Sequence, residues 1–266
     1  MISDLLREEC SELETCLAGL SDADWRRRTA FYDWTVADEV MHLHQVDGFG
    51  LVSLTRPEQF PALVSEVRAH QAKGVELSAR MREDWGRLSP SALLATWRQG
   101  WLELADRLDA AEPDLRLPWF GPDMRLASFA AARQMEVWAH GQDIHDLLGL
   151  PRHNTDRIRT ICDLGVRTQG WSFANRGLER PAPPEVELTA PSGAIWRWNQ
   201  GAAERVAGKA EDFAFVVTQR RNVADTALRV SGDGALAWLR IAQCFAGAPA
   251  DGPPAGGRTI PLDRSN

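Results

Sequence analysis

Arg133-Gln134-Met135-Glu136-Val137-Trp138-Ala139-His140-Gly141-Gln142-Asp143-Ile144-His145 places a carboxylate and an imidazole four residues apart within a run of helical periodicity. Positions i and i+4 of a helix share one face about 6 Å apart, and Asp143 follows one turn later. A carboxylate and an imidazole so spaced can share one divalent ion if a third ligand arrives from another helix. An ordinary surface ion pair has the same spacing, so spacing alone leaves both readings open. The apolar neighbours Met135, Val137 and Trp138 argue against a plain solvent face, and Ala139 and Gly141 leave room beside His140.

Working outward, the helix that carries this stretch is predicted over about Leu126 to Leu148, closed by Gly149. Upstream, Leu5, Leu6, Cys10, Leu13, Leu17 and Leu20 recur at three- and four-residue steps and predict an amphipathic helix. Thr35-Val36-Ala37-Asp38 has the hydroxyl-to-carboxylate spacing of a capping box and opens a second helix that ends near Gly48–Gly50. Its inward stripe is Val36, Val40, Leu43 and Val46 or Asp47. His42 lies on the flank of that stripe, a direction that reaches into a bundle core, and His44 lies on the opposite flank. A third helix is expected over about Pro57 to Trp85, and Ser89-Pro90-Ser91 caps a fourth with Trp97, Trp101, Leu104 and Leu108 on its apolar face. Pro113 to Pro122 holds too many prolines to be helical. Four or five long helices with short connections describe an up-down helix bundle.

Beyond Leu148 the pattern changes. Asn154-Thr155-Asp156 starts a helix that runs to roughly Gly170, and Arg180-Pro181-Ala182-Pro183-Pro184 has the composition of a linker. Glu185 to Thr189 alternates like a strand, and Pro191-Ser192-Gly193 turns it into a second strand over Ala194 to Trp198. Ala202 to Val206 reads as a short edge strand or turn, Glu211 to Thr218 as helix or strand, Thr226 to Val230 as a strand, and Ala235 to Phe245 as a final helix. The fold class is therefore α followed by α+β. The expected organisation is a metal-binding helical bundle over 1–150, a connecting helix and linker over 151–183, a smaller α+β domain over 184–250, and a loose tail over 251–266.

Composition narrows the function classes. The 266 residues carry 30 Lys and Arg against 37 Asp and Glu, a net charge of −7 that argues against binding nucleic acid or an anionic membrane surface. No apolar run approaches the ~18–20 residues of a membrane span, and the first residues carry acidic groups and no signal-type apolar core, so a cytoplasmic location is expected. Cys10, Cys16, Cys162 and Cys244 form no C-x-x-C pair and read as reduced thiols. No phosphate loop, nucleophile elbow or dinucleotide fingerprint occurs. Tryptophan is abundant, 11 against one Tyr, and is read mostly as core. Trp119-Phe120 is the exception, an aromatic pair in a Pro-bounded loop that could wall a pocket. His44 and His145 read as polar-edge residues, and His70 and His153 as surface ones.

Trp34-Thr35-Val36-Ala37-Asp38-Glu39-Val40-Met41-His42-Leu43 resembles the Trp-x-x-x-Asp-x-x-x-His-Leu signature of DinB-like metal-binding bundles. It resembles in particular the N-terminal domain of the mycothiol-dependent maleylpyruvate isomerase family, whose second half-site is similar to Glu136, His140 and Asp143. The likeness extends along nearly the whole chain to uncharacterised metal-binding relatives, through segments such as Leu117 to Pro122, Val217 to Arg221 and Ile241 to Gly247. It implies His42, Glu136 and His140 as ligands of one divalent ion, most simply zinc, with Asp143 behind them fixing the tautomer of His140. It implies a C-terminal domain similar to a sterol-carrier-protein fold, and there an arginine that holds a substrate carboxylate. Arg220 is the best match, with Arg221 the alternative.

The function so implied is a zinc-dependent enzyme in which a low-molecular-weight thiol such as mycothiol, or water, is activated toward an electrophilic small molecule, for isomerisation or transfer. Hydrolase or lyase chemistry through water also fits. The reading from another class is a non-catalytic, metal-containing ligand-binding or sensor protein. Thiol-dependent turnover by the metal-loaded protein, absent from a metal-free control, separates the two.

Overall fold

A computed structural model describes residues 1–73 and 77–258. The chain divides into two compact units, Met1–Leu148 and a second that begins at Gly149. The first contains α1 (Asp4–Ala18), α2 (Asp22–Trp25), α3 (Val36–Thr55), α4 (Phe60–Ala72), α5 (Leu77–Trp85), α6 (Pro90–Ala110) and α7 (Leu126–Leu148), with a two-stranded ribbon of β1 (Arg116–Leu117) and β2 (Met124–Arg125) before α7. Helix α3 packs on α6 and α7, and α1 packs on the same two, so these four form the bundle. Its core includes Leu6, Leu13, Leu17, Val40, Leu43, Trp97, Leu104, Phe129 and Val137, all buried. Each such apolar side chain removed from water contributes roughly 1.5–3 kcal/mol.

The start of α3 follows from its sequence. Thr35 Oγ1 accepts from the Asp38 amide at 3.1 Å, and Asp38 Oδ2 accepts from the Thr35 amide at 2.9 Å, closing the expected capping box. The helix does not stop at Gly48–Gly50. It continues to Thr55, because Gly50 is where α3 meets its neighbours: a Cβ there would lie 2.9 Å from Phe129 and 3.2 Å from Leu104. The single helix expected over Pro57 to Trp85 is a 3₁₀ turn at Pro57–Gln59 followed by separate helices α4 and α5, and residues 74–76 between them lie outside the described residues.

The second unit holds α8 (Arg159–Arg167), α9 (Gln169–Ala174), β3 (Glu185–Thr189), β4 (Ile195–Trp198), β5 (Arg205–Lys209), α10 (Ala210–Val217), β6 (Arg229–Ser231) and α11 (Asp233–Ile241). The sheet order is β4-β3-β5-β6, with β3 and β5 parallel and both outer pairs antiparallel. Three expectations are corrected here. The segment read as an edge strand or turn from Ala202 is β5, an interior strand that starts at Arg205 and buries Val206 and Ala207. The helix expected to connect the domains is α8 and α9, which pack on α10 and α11 and so belong to the second unit. Residues 251–258 are tied down: Asn222 Nδ2 donates to the Pro253 carbonyl at 2.9 Å, and the Gly256 amide donates to both Asp225 oxygens at 2.9 Å. The remainder of the expected tail, 259–266, lies outside the described residues. Cys10, Cys16, Cys162 and Cys244 form no disulfide among the described residues. No helix among the described residues is long and apolar enough to cross a membrane.

Candidate metal centre

Helices α3 and α7 lie side by side and present three donors to one point. His42 Nε2 of α3 is 3.4 Å from Glu136 Oε2 of α7, and His140 Nε2, one turn along α7, is 3.3 Å from the same oxygen. The two imidazole centroids are 4.6 Å apart. One ligand atom from each residue lies within 4.8 Å of the other two. His140 is buried, while the His42 and Glu136 side chains keep 14% and 22% exposure, so the cluster has a covered side and an accessible one.

The electrostatics favour ligand-ready protonation states. Burial pushes the His42 pKa down, outweighing the pull of Glu136 toward the charged form, and a neutral imidazole is what a metal requires. Burial alone would push Glu136 up, but hydrogen bonds with His140 and His42 hold it well below the usual carboxylate range. Two imidazoles and one carboxylate suit zinc and also nickel, iron or manganese. The donor set, its convergence and its one open side fit a single divalent ion.

The surroundings are built by the segment that precedes α3. The Thr29 amide donates to the Trp34 carbonyl at 2.7 Å and the Trp34 amide to the Phe31 carbonyl at 2.9 Å, with Arg28 and Thr35 paired across the same small hairpin. Its two central residues, Tyr32 at φ 48 and Asp33 at φ 58, are both left-handed, as a type I′ turn demands. This turn sets Phe31 edge-on to His140 at 5.0 Å and Trp34 at 5.3 Å from the His42 ring. Behind His140, Nδ1 is 2.6 Å from Glu39 Oε2, and Glu39 Oε1 accepts from the Thr29 hydroxyl at 2.6 Å.

Residues 6–145 match the family model described as the mycothiol maleylpyruvate isomerase N-terminal domain. The chain belongs to that family. Two uncharacterised proteins from strains of Mycobacterium tuberculosis are each 41% identical over 249 residues, covering 93% of this chain and 96% of theirs. Two crystal structures share the fold: mycothiol-dependent maleylpyruvate isomerase, with TM-score 0.51 and 16% identity over 86% of this chain and 91% of that one, and a histidine-to-alanine mutant of that enzyme, with TM-score 0.52 and 14% identity over 82% and 88%.

Within this family member the other expected site residues are placed as follows. The carboxyl on His140 Nδ1 is that of Glu39, and Asp143, buried, stands beside that pair with one oxygen within 4.8 Å of it. Trp119 and Phe120 pack together with Phe49, Phe60 and Phe129. Phe49 and Phe129 stand seven residues from His42 and Glu136 along their helices, about 10 Å away. The loop is held at that end of α3 by the β1–β2 ribbon and by the Ser53 hydroxyl, which donates to the Pro118 carbonyl at 2.7 Å. The rings on the two histidines are therefore Phe31 and Trp34 and not Trp119 and Phe120. Between the two layers lies a buried ion pair, Arg133 Nη2 to Asp47 Oδ1 at 3.0 Å. His145, expected at a polar edge, is buried with Nδ1 at 2.9 Å from the Gly141 carbonyl, and His44 sits edge-on to Trp85.

In the second unit, Arg220 and Arg221 follow the C-terminus of α10 and both are buried. Gln219, left-handed at φ 59, reverses the chain there, and the Arg220 and Arg221 amides both donate to the Phe215 carbonyl. Arg220 Nη1 donates to the Thr218 carbonyl at 2.7 Å, and the Arg221 guanidinium lies 5.0 Å from the Phe215 ring centroid.

Proposed function

We propose that this protein is a metal-dependent enzyme in which His42, Glu136 and His140 hold one divalent ion, most simply zinc, and a small thiol is activated for addition to an electrophilic small molecule. The observation that carries the reading is the convergence of three donors from two helices with an accessible side at Glu136. Bound there, the ion would supply a Lewis acid that lowers the pKa of a thiol or water at its open position. The chain's own residues do the rest. His42 and His140 present unprotonated nitrogens, Glu136 offers one oxygen, and Phe31 and Trp34 exclude water from one side. Mycothiol, named in the related isomerase, is the thiol to try first, with isomerisation and thiol transfer as the two outcomes. We assign Arg220, or Arg221 beside it, to a substrate carboxylate, which a guanidinium grips with two parallel hydrogen bonds.

The test is metal content and turnover measured on the same samples. His140→Ala should lose most of the bound metal, and thiol-dependent consumption of an electrophile should follow the metal content. Stoichiometric metal that survives both His140→Ala and His42→Ala would show that the ligands are misassigned.

A further inference from the structure

The Nδ1 side of His140 faces a built chain of hydrogen bonds and not a bare apolar wall. The Phe31 amide donates to Thr29 Oγ1 at 3.2 Å, Thr29 Oγ1 donates to Glu39 Oε1 at 2.6 Å, and Glu39 Oε2 meets His140 Nδ1 at 2.6 Å. Glu39 and His140 are buried, as is Thr29. The direction of the chain is set at its outer end, because a backbone amide can only donate. The Thr29 oxygen accepts that hydrogen and directs its own at Glu39, so the Glu39 oxygen that remains is left to accept from the imidazole. His42 has no such support: its Nδ1 is buried with no hydrogen-bond partner among the described residues, and its ring rests on Trp34.

We infer that Glu39, held by Thr29, is a positioning residue that keeps the proton of His140 on Nδ1 and so presents the Nε2 lone pair to the metal. The inference rests on the metal-site reading above for its consequence, though the placement of the proton can be measured without any metal. It also gives the strained turn at Tyr32-Asp33 a purpose. A left-handed Tyr32 costs about 1–2 kcal/mol, while Asp33 tolerates that conformation, and that turn fixes Phe31 and Thr29 where the chain begins. A partner at the far nitrogen of a metal-binding histidine both orients the ring and selects its tautomer.

Glu39→Gln is the deciding variant, since it keeps the shape and removes one acceptor. With Thr29 still donating to the remaining oxygen, the new amide nitrogen must donate to Nδ1, which drives the proton of His140 to Nε2. Two readouts apply: ¹⁵N-histidine correlation spectra of the metal-free protein, which distinguish the tautomers, and zinc affinity by chelator competition. Wild type should show His140 protonated on Nδ1. Glu39→Gln should show it on Nε2, with zinc bound about 10–100-fold more weakly and thermal stability of the metal-free protein retained. A variant that keeps the Nδ1 proton and binds zinc within about twofold of wild type overturns the inference. Thr29→Val is the second variant, useful if Glu39→Gln folds poorly: weaker zinc binding supports the chain, and unchanged binding with an unchanged tautomer removes Thr29 from it. Should wild type fail to bind zinc at all, the metal reading falls, while the tautomer spectra still decide the role of Glu39.

Discussion

Asp38 serves two partners at once. Its Oδ1 accepts from Arg82 Nε at 2.7 Å, its Oδ2 from Arg82 Nη2 at 2.8 Å, and Oδ2 also closes the cap with Thr35. Burial pushes its carboxyl up, but Arg82 and Thr35 outweigh burial and leave it below the ordinary aspartate value of 3.8. A carboxyl whose folded pKa is depressed adds stability that is present above its unfolded pKa, near pH 4, and is lost as the pH falls through the lower folded value. Unfolding measured from pH 6 down to pH 2.5 should therefore show a steep acid limb that flattens in Asp38→Asn. Asp38→Ala should cost about 1–2 kcal/mol at pH 7 through the broken cap, and an unchanged acid limb in either variant would reject this account. The neighbour of Asp38 shows what a sequence hides at this scale. Glu136 and His140 are legible because a four-residue spacing on one helix predicts their meeting, and His42 because it flanks an apolar stripe. Glu39 reads only as a second acid in the first turn of a helix. Its meeting with His140 is a fact about how two helices lie together, which no local spacing encodes. Phe31 and Trp34 come closer to legibility, since Asp33 is a residue type that tolerates a left-handed turn.

At Gly50 of α3 a methyl group would meet Phe129 of α7 at 2.9 Å and Leu104 of α6 at 3.2 Å. Both neighbours are fully buried, and Phe129 is wedged edge-on against Trp119. Alanine is preferred over glycine inside a helix by about 1 kcal/mol, whereas overpacking a tight core costs about 1–3 kcal/mol. Overpacking should win: Gly50→Ala is expected to lower stability by about 1 kcal/mol in denaturant titration, and a gain would mean that Phe129 yields easily. The same glycine explains the misplaced end of α3. Paired glycines read as a stop signal, but here one of them permits close packing in mid-helix. Periodicity located the bundle helices α1 and α6 well because each buries one continuous stripe, whereas α7, buried on every face from Val137 to His145, is bounded by the proline-rich loop before it and Gly149 after it. Periodicity failed for β5, whose Arg205-Val206-Ala207-Gly208-Lys209 does not alternate: Val206 and Ala207 are neighbours and both buried, so the two-residue period that marked β3 is missing. The parallel pairing of β3 with β5 is long-range, and only the assembled sheet reveals it.

At the scale of the whole chain, two compact units invite separate tests of what each contributes. Zinc that binds the native bundle and not the unfolded chain must stabilise it, by about 2.7 kcal/mol at a hundredfold excess over the dissociation constant. Calorimetry should show a zinc-dependent rise in the unfolding temperature that is missing from His42→Ala, and an equal rise in both would place the zinc elsewhere. The second unit is tested through Arg220. Its burial removes competing water, its backbone is fixed by the left-handed Gln219, and one of its nitrogens is committed to the Thr218 carbonyl at 2.7 Å. A guanidinium meets a carboxylate as a planar fork, which the single nitrogen of a lysine cannot reproduce. Arg220→Lys conserves charge, so loss of function would report geometry and not the field. Turnover is expected to fall by more than about tenfold, equivalent to about 1.4 kcal/mol of binding in the transition state, with metal content unchanged because no ligand is touched. Arg221→Lys, whose guanidinium packs on Phe215, should lose stability more than turnover. If Arg220→Lys turns over at the wild-type rate while Arg221→Lys does not, the substrate carboxylate belongs to Arg221, and wild-type turnover in both would take the second unit out of substrate binding.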